Sequence, residues 1–129
     1  MDKKGKKKIL VVDDEPNILK SLSDLLTAND YDVVTAEDGK IGIEKAHAEK
    51  PDLILLDIMM PKVSGIELLK AIKASEKTAR CPIIILSAKS DLDTLNEAMW
   101  NYADKYITKP YDPEELLVSI KSTLHLSSY

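Results

Sequence analysis

The sequence predicts an α/β fold, a (βα)5 three-layer sandwich with a parallel sheet at its centre. Three observations predict it. Four short runs rich in branched or apolar residues read as strands: Ile9-Leu10-Val11-Val12, Leu53-Ile54-Leu55-Leu56, Ile83-Ile84-Ile85-Leu86 and Tyr106-Ile107-Thr108. Val33-Val34 adds a short fifth strand, and each strand is followed by a segment of helical spacing. That alternation specifies a parallel sheet with helices on both faces. Finally, the four runs end on Asp13-Asp14, Asp57, Ser87 and Lys109, residue types that chemistry can use.

Each element has its own justification. Residues 1–7 form a lysine-rich tail, expected to be a solvated, frayed end. After the first strand, Ile18, Leu22, Leu25 and Leu26 fall on one helical face that starts near Pro16. Asp38-Gly39 opens a second amphipathic stretch through Ile41, Ile43 and Ala46. Beyond Asp57 comes a loop, Met59-Met60-Pro61-Lys62-Val63. Ser64 and Glu67 then make a capping-box signature for a third helix carrying Ile66, Leu69 and Ile72. Asp91 is the expected N-cap of a fourth helix with Leu92, Leu95 and Met99. Asp112-Pro113-Glu114-Glu115 places a cap, a first-turn proline and two acids at the start of a fifth, which buries Leu116, Leu117, Ile120 and Leu124. The domain is expected to span 8–124, with 125–129 as a C-terminal tail.

Composition narrows the function classes. A chain of 129 residues is one domain. Its net charge of −4 disfavours nucleic acid as a direct partner. No apolar stretch approaches the ~18 residues of a membrane span, and the run behind the basic tail is too short for a signal peptide. Cys81 is alone, so there is no disulfide framework and a cytoplasmic location is expected. Lying just before Pro82 and a buried run, it reads as a packing residue.

In an open parallel sheet the carboxyl ends of neighbouring strands gather along one edge, where such folds bind ligands. Three carboxylates, a hydroxyl and an ammonium would share that edge. The turn Asp13-Asp14-Glu15-Pro16-Asn17 has no glycine and three acids, so it would repel phosphate and attract a hard cation. Two carboxylates about 4 Å apart repel by ~4 kcal/mol at an effective dielectric near 20. Lys109 supplies one compensating charge and a divalent ion the rest; oxygen ligands suit Mg²⁺ (or Mn²⁺) over Zn²⁺. A strand-end carboxylate beside such a cluster can attack phosphorus, and this assigns Asp57 as the nucleophile. Lys109 would neutralise the phosphoryl oxygens and Ser87 would hydrogen-bond one of them. Taken singly, an Asp after a strand is commonly a helix cap and Lys109-Pro110 a turn. The joint occurrence at four strand ends favours the chemical reading.

The chain resembles the receiver domains of two-component response regulators. The motifs that carry the resemblance are Ile-Leu-Val-Val-Asp13-Asp14-Glu15-Pro16, Asp57-Ile58-Met59-Met60-Pro61 with Gly65, Leu86-Ser87-Ala88-Lys89, and Tyr106-Ile107-Thr108-Lys109-Pro110, from about Lys8 to Leu124. The resemblance implies a flavodoxin-like sheet in strand order 2-1-3-4-5. It implies that Asp57 accepts a phosphoryl group from a phosphohistidine on a sensor histidine kinase or phosphotransfer protein. Asp14, Asp57 and the backbone carbonyl of Met59 would hold Mg²⁺ directly, with Asp13 acting through a water. Ser87 and Tyr106 would be the switch pair, and the Lys109-Pro110 bond would be cis.

Some positions depart from the family pattern. Tyr102 stands where many relatives have Gly, and Trp100, Tyr102, Tyr106 and Tyr111 gather aromatics near the fourth helix, fifth strand and fifth helix, a face expected to dock a downstream protein. Relatives that dimerise there usually carry an acid where Lys105 stands and a base where Ser119 stands, which argues against that salt-bridged dimer. Met59 and Lys89 flank the expected path of attacking water, and Met59 cannot orient it, so slow self-hydrolysis is expected. Two alternatives compete with a phosphorylation-driven switch that catalyses only its own modification. One is a Mg²⁺-dependent phosphotransferase acting on other substrates, disfavoured because Met59 occupies the position of its general acid. The other is a receiver-like scaffold, disfavoured because the site is complete. Either a stand-alone receiver or a piece of a longer regulator fits, and the former is the expectation, since the chain starts with Met1 and stops just past a natural helix end.

Overall fold

The structure, a computed structural model, describes residues 6–57, 65–88 and 103–127. Five strands, β1 (Lys8–Val12), β2 (Asp32–Ala36), β3 (Leu53–Leu56), β4 (Ile83–Ala88) and β5 (Lys105–Lys109), form one parallel sheet in the order β2-β1-β3-β4-β5. Four helices are described: α1 (Pro16–Ala28), α2 (Gly39–Glu49), α3 (Gly65–Ala74) and α4 (Pro113–Ser127). The fourth helix expected from Asp91 lies outside the described residues, so α4 is the fifth of the expected series. The fold class and strand order are those expected.

Alternation along the central strands divides the core into two. Leu10, Val12, Ile54, Leu56, Ile83 and Ile85 point to one face, where Ala46 of α2 and Leu68, Leu69 and Ile72 of α3 cover them. Ile9, Val11, Leu53, Leu55, Ile84 and Leu86 point to the other, under Leu19, Leu22 and Leu26 of α1 and Leu116, Ile120 and Leu124 of α4. Runs buried on both faces must be apolar at every position, which is why these strands show no polar alternation.

The helix faces differ in detail from expectation. On α1 the buried residues are Leu19, Leu22 and Leu26, with Ile18 and Leu25 half-buried at the margin. On α2 the buried face is Gly39, Gly42 and Ala46, whereas Ile41 and Ile43 are half-buried. A Cβ at Gly42 would lie 3.2 Å from both Val12 methyls and 3.3 Å from Leu68 Cδ2, so the absent side chain lets α2 approach the sheet. Asp38 caps α2 by accepting the Ile41 N–H at 2.8 Å. On α3, Leu68 joins Leu69 and Ile72 inside, while Ser64 and the Ile66 side chain lie outside the described residues. On α4, Leu117 is half-buried and Thr123 is buried. The helix runs on through Ser127, so part of the expected C-terminal tail is helical.

Candidate functional site

Sheet order brings the chemistry together. β1 and β3 are neighbours paired in register from Ile9↔Leu53 to Val12↔Leu56, so Asp13 and Asp57 emerge side by side. The Asp57 N–H donates to the Val12 carbonyl at 3.0 Å, and the Asp13 N–H to Ala36 at 3.1 Å, extending the ladder into the site on both sides of β1. Strand order reverses about β1, and the crevice at such a reversal is where doubly wound sheets hold ligands. β4 does not stop at Ser87 as the sequence suggests. It continues through Ala88 because β5 keeps pairing, Ser87↔Thr108 and Ala88↔Lys109, and this sets Lys109 across the crevice.

The side chains meet across that crevice. The Ser87 hydroxyl, on a residue that is 1% exposed, donates to Asp57 Oδ1 at 3.2 Å. The Lys109 ammonium reaches Asp57 Oδ2 at 3.1 Å and Asp13 Oδ2 at 3.2 Å. Asp13 Oδ1 accepts the Glu15 N–H at 2.9 Å. This last contact was not foreseen. Its signal was the Asp followed two residues later by the residue that opens α1, an Asx turn. The Lys109-Pro110 bond is cis, as expected.

Burial and charge oppose one another here. Burial pushes the Asp13 carboxyl above its ordinary value, with the Asp57 charge adding to that, although the Glu15 N–H and Lys109 pull it down. Burial works to lower the Lys109 ammonium, but the charges of Asp57 and Asp13 outweigh it and raise the group above its ordinary value. Lys109 therefore remains a cation. Carboxylate oxygens of Asp13, Asp14 and Asp57 lie within 4.8 Å of one another, with Asp14 the exposed member. The Lys109 ammonium pairs with two of these three carboxylates, Asp13 and Asp57. The negative excess and the all-oxygen donors fit a hard divalent cation such as Mg²⁺. The Met59 carbonyl expected to join them lies outside the described residues, as do Lys89, Trp100 and Tyr102. Tyr106 is half-buried against the core beneath α2 and α3, and burial raises its phenol above the ordinary value.

Residues 9–121 match the family model described as the response regulator receiver domain. The chain belongs to the response-regulator receiver-domain family. Receiver domains are signalling switches rather than enzymes that turn over foreign substrates. This receiver domain is 43% identical over 121 residues to the alkaline phosphatase synthesis transcriptional regulatory protein PhoP of Bacillus subtilis, covering 94% of this chain and 50% of that protein. It spans about half the length of the curated relatives it matches. Among solved structures it is similar to the response regulator TrrA of Thermotoga maritima in complex with Mg²⁺-BeF, with TM-score 0.81, 37% identity, and 91% and 98% of the two chains covered. The receiver domain of a sensor histidine kinase from Pseudomonas aeruginosa, with magnesium coordinated in its active-site cleft, aligns with TM-score 0.84 at 27% identity over 93% of this chain and 98% of that one. Among the described residues of the receiver domain, no helix is long and apolar enough to cross a membrane.

Proposed function

We propose that Asp57 accepts a phosphoryl group from a phosphohistidine on a sensor histidine kinase or phosphotransfer protein, in a Mg²⁺-dependent reaction, and that this changes the partner-binding face. The observation that carries the proposal is the setting of Asp57, held between the Ser87 hydroxyl and the Lys109 ammonium beside two further carboxylates. Asp13, Asp14 and Asp57, with the Met59 carbonyl, are the residues that would hold Mg²⁺ (or Mn²⁺). When bound, the ion supplies positive charge to the carboxylate cluster and to the phosphoryl oxygens.

The chain's own groups do the rest. An Asp57 oxygen attacks phosphorus as the bond to the donor nitrogen breaks, and the imidazole leaves with the electron pair and takes up a proton. Lys109, already 3.1 Å from Asp57, pairs with an oxygen of the incoming group. Ser87 turns its hydroxyl from the carboxylate to a phosphoryl oxygen, and Tyr106, paired with Ile85 across β4 and β5, moves into the space this opens. Strand β5 and α4, with the further helix that the sequence leads one to expect from Asp91, would form the face offered to a downstream protein, with no direct nucleic-acid contact. The location is cytoplasmic, and residues 8–124 are the functional unit.

The test is intact mass after incubation with Mg²⁺ and acetyl phosphate, for the wild type and Asp57→Asn. One phosphoryl addition, absent from the variant, is expected. Donor turnover far beyond stoichiometry would instead make the chain a phosphotransferase. No addition and no Mg²⁺ binding would leave a scaffold.

A further inference from the structure

Charge divides along the strand axis. At the carboxyl edge of the sheet stand Asp13, Asp14, Glu37, Asp38 and Asp57. The opposite end, where strands begin and helices finish, exposes Lys6, Lys7, Lys50, Lys77, Arg80 and Lys121. None of these bases forms an ion pair among the described residues. Exposed acids at that end are fewer. Of Asp30, Glu49, Glu76 and Asp104, Glu49 already pairs with Lys8 at 3.0 Å and Asp104 accepts the Ile83 N–H at 2.8 Å. Bases near a helix C-terminus complement its macrodipole, which accounts for Lys50 and Lys121. Lys6, Lys7 and Arg80 lie on no helix, so the dipole leaves them unexplained. The bases are also contiguous. Lys7 and Arg80 border a hollow of about 220 Å³ walled by Pro51, Pro82 and Leu124, and Lys7 with Lys121 borders a second. Asp52 also lines the first hollow, where its carboxylate accepts the Lys8 N–H at 2.8 Å. Residues 1–5 join the chain at this end and add Lys3 and Lys4 against Asp2.

A basic end on a chain of net charge −4 attracts a partner only if the acids are far enough away. The five residues of β1 hold the two ends about 17 Å apart. Charges are screened over ~8 Å at physiological ionic strength, so a surface that touches the bases does not feel the acids. We propose that this basic end docks on an anionic phospholipid surface, with lipid phosphates taken between Lys7 and Arg80. A lipid surface asks only for charge spread over a broad face. RNA recognition also draws on exposed aromatic rings, and every described tyrosine is half-buried. The docked chain turns the Asp57 edge away from the lipid and leaves it open to a phosphodonor. The inference goes beyond the reading of Asp57 and does not depend on it, because this end shares no residue with the carboxylate cluster.

The test is co-sedimentation of the full, metal-free chain with vesicles of equimolar phosphatidylglycerol and phosphatidylcholine, against vesicles of phosphatidylcholine alone. Binding is expected to the anionic vesicles only, and is expected to fall away when ionic strength is raised about tenfold. Each base near such a surface is worth about fivefold in binding, so Lys7→Gln/Arg80→Gln should weaken it about 25-fold. Lys20→Gln/Lys40→Gln removes the same charge from exposed positions away from this end and should leave binding nearly unchanged. All four side chains are exposed, and unchanged far-ultraviolet dichroism checks that the variants fold. A wild type that ignores anionic vesicles at low salt, or binds both kinds alike, would overturn the proposal. Equal loss in the two double variants would do the same, because net charge rather than this end would then govern binding. So would tighter binding to polyuridylate RNA than to the anionic vesicles, which would make this end a nucleic-acid surface.

Discussion

At Asp13 burial and charge pull in opposite directions, and the balance has a measurable sign. The carboxyl is 3% exposed and its pKa is raised by burial, with Asp57 adding repulsion. Only between the ordinary and the raised value does the folded chain hold a proton that the unfolded chain has released. The stability this provides is complete below the ordinary value of 3.8 and is lost as pH climbs through the raised folded value. Asp13→Asn keeps the acceptor for the Glu15 N–H but removes the charge. The metal-free variant is expected to be more stable than wild type at pH 7 by on the order of 1 kcal/mol, about 4 °C in melting temperature. The gap should close as pH falls below about 4, and a variant that melts lower at pH 7 would count against this balance. Cys81 makes a second prediction at this scale. Burial pushes its thiol up to about 12, and its Sγ donates to the Pro51 carbonyl at 3.4 Å. Cys81 is half-buried, so a disulfide reagent at pH 8 should label the native chain much more slowly than the denatured one, and equal rates would contradict the raised thiol. The role of Cys81 as a packing residue was legible from Pro82 and the run behind it, because a residue entering a buried strand has few alternatives. The Ser87–Asp57–Lys109 contacts were legible only as residue types, since nothing local states which oxygen meets which donor.

Among the elements, α2 shows how packing departs from periodicity. Of its expected apolar positions, Ile41, Ile43 and Ala46, Ala46 is buried as expected and the two isoleucines are half-buried against the core, while Gly39 and Gly42 complete the inner face. Small residues set how close two elements approach, and a hydrophobicity pattern does not encode that distance. Gly42→Val would place a branched side chain where a Cβ alone already lies 3.2 Å from Val12 and 3.3 Å from Leu68. Urea unfolding is expected to show a loss of about 1–3 kcal/mol from overpacking. Because Val12 immediately precedes Asp13, the displaced strand end should also slow phosphoryl loading. A variant as stable as wild type would mean that α2 stands farther from the sheet. The strands, by contrast, were legible almost to the residue. Four-residue branched runs have no other way to be buried on both sides, so only their ends moved, as at Ala88 where pairing with β5 extends the ladder.

At the scale of the whole molecule, metal bound at the proposed site would couple to folding, because Asp13 and Asp57 come together only when β1 and β3 are paired. A ligand that binds the folded chain alone stabilises it by ~2.7 kcal/mol at a hundred times its dissociation constant. Saturating Mg²⁺ is therefore expected to raise the melting temperature by several degrees, and a chelator should reverse the rise. Asp14→Asn and Asp57→Asn should blunt it. An unchanged wild-type melting curve would remove the metal from the reading. The sequence by itself determined the alternation of strand and helix, the residue types at each strand end and the motifs that mark the family. These depend on local periodicity and on the order of residues along the chain. Only the tertiary structure decided that Lys109 sits 3.1 Å from Asp57 and 3.2 Å from Asp13, and which helical faces turn inward. It also gathered acids at one end of the sheet and bases at the other. Those distances follow from sheet order and register, which join residues far apart in sequence and which no local pattern specifies.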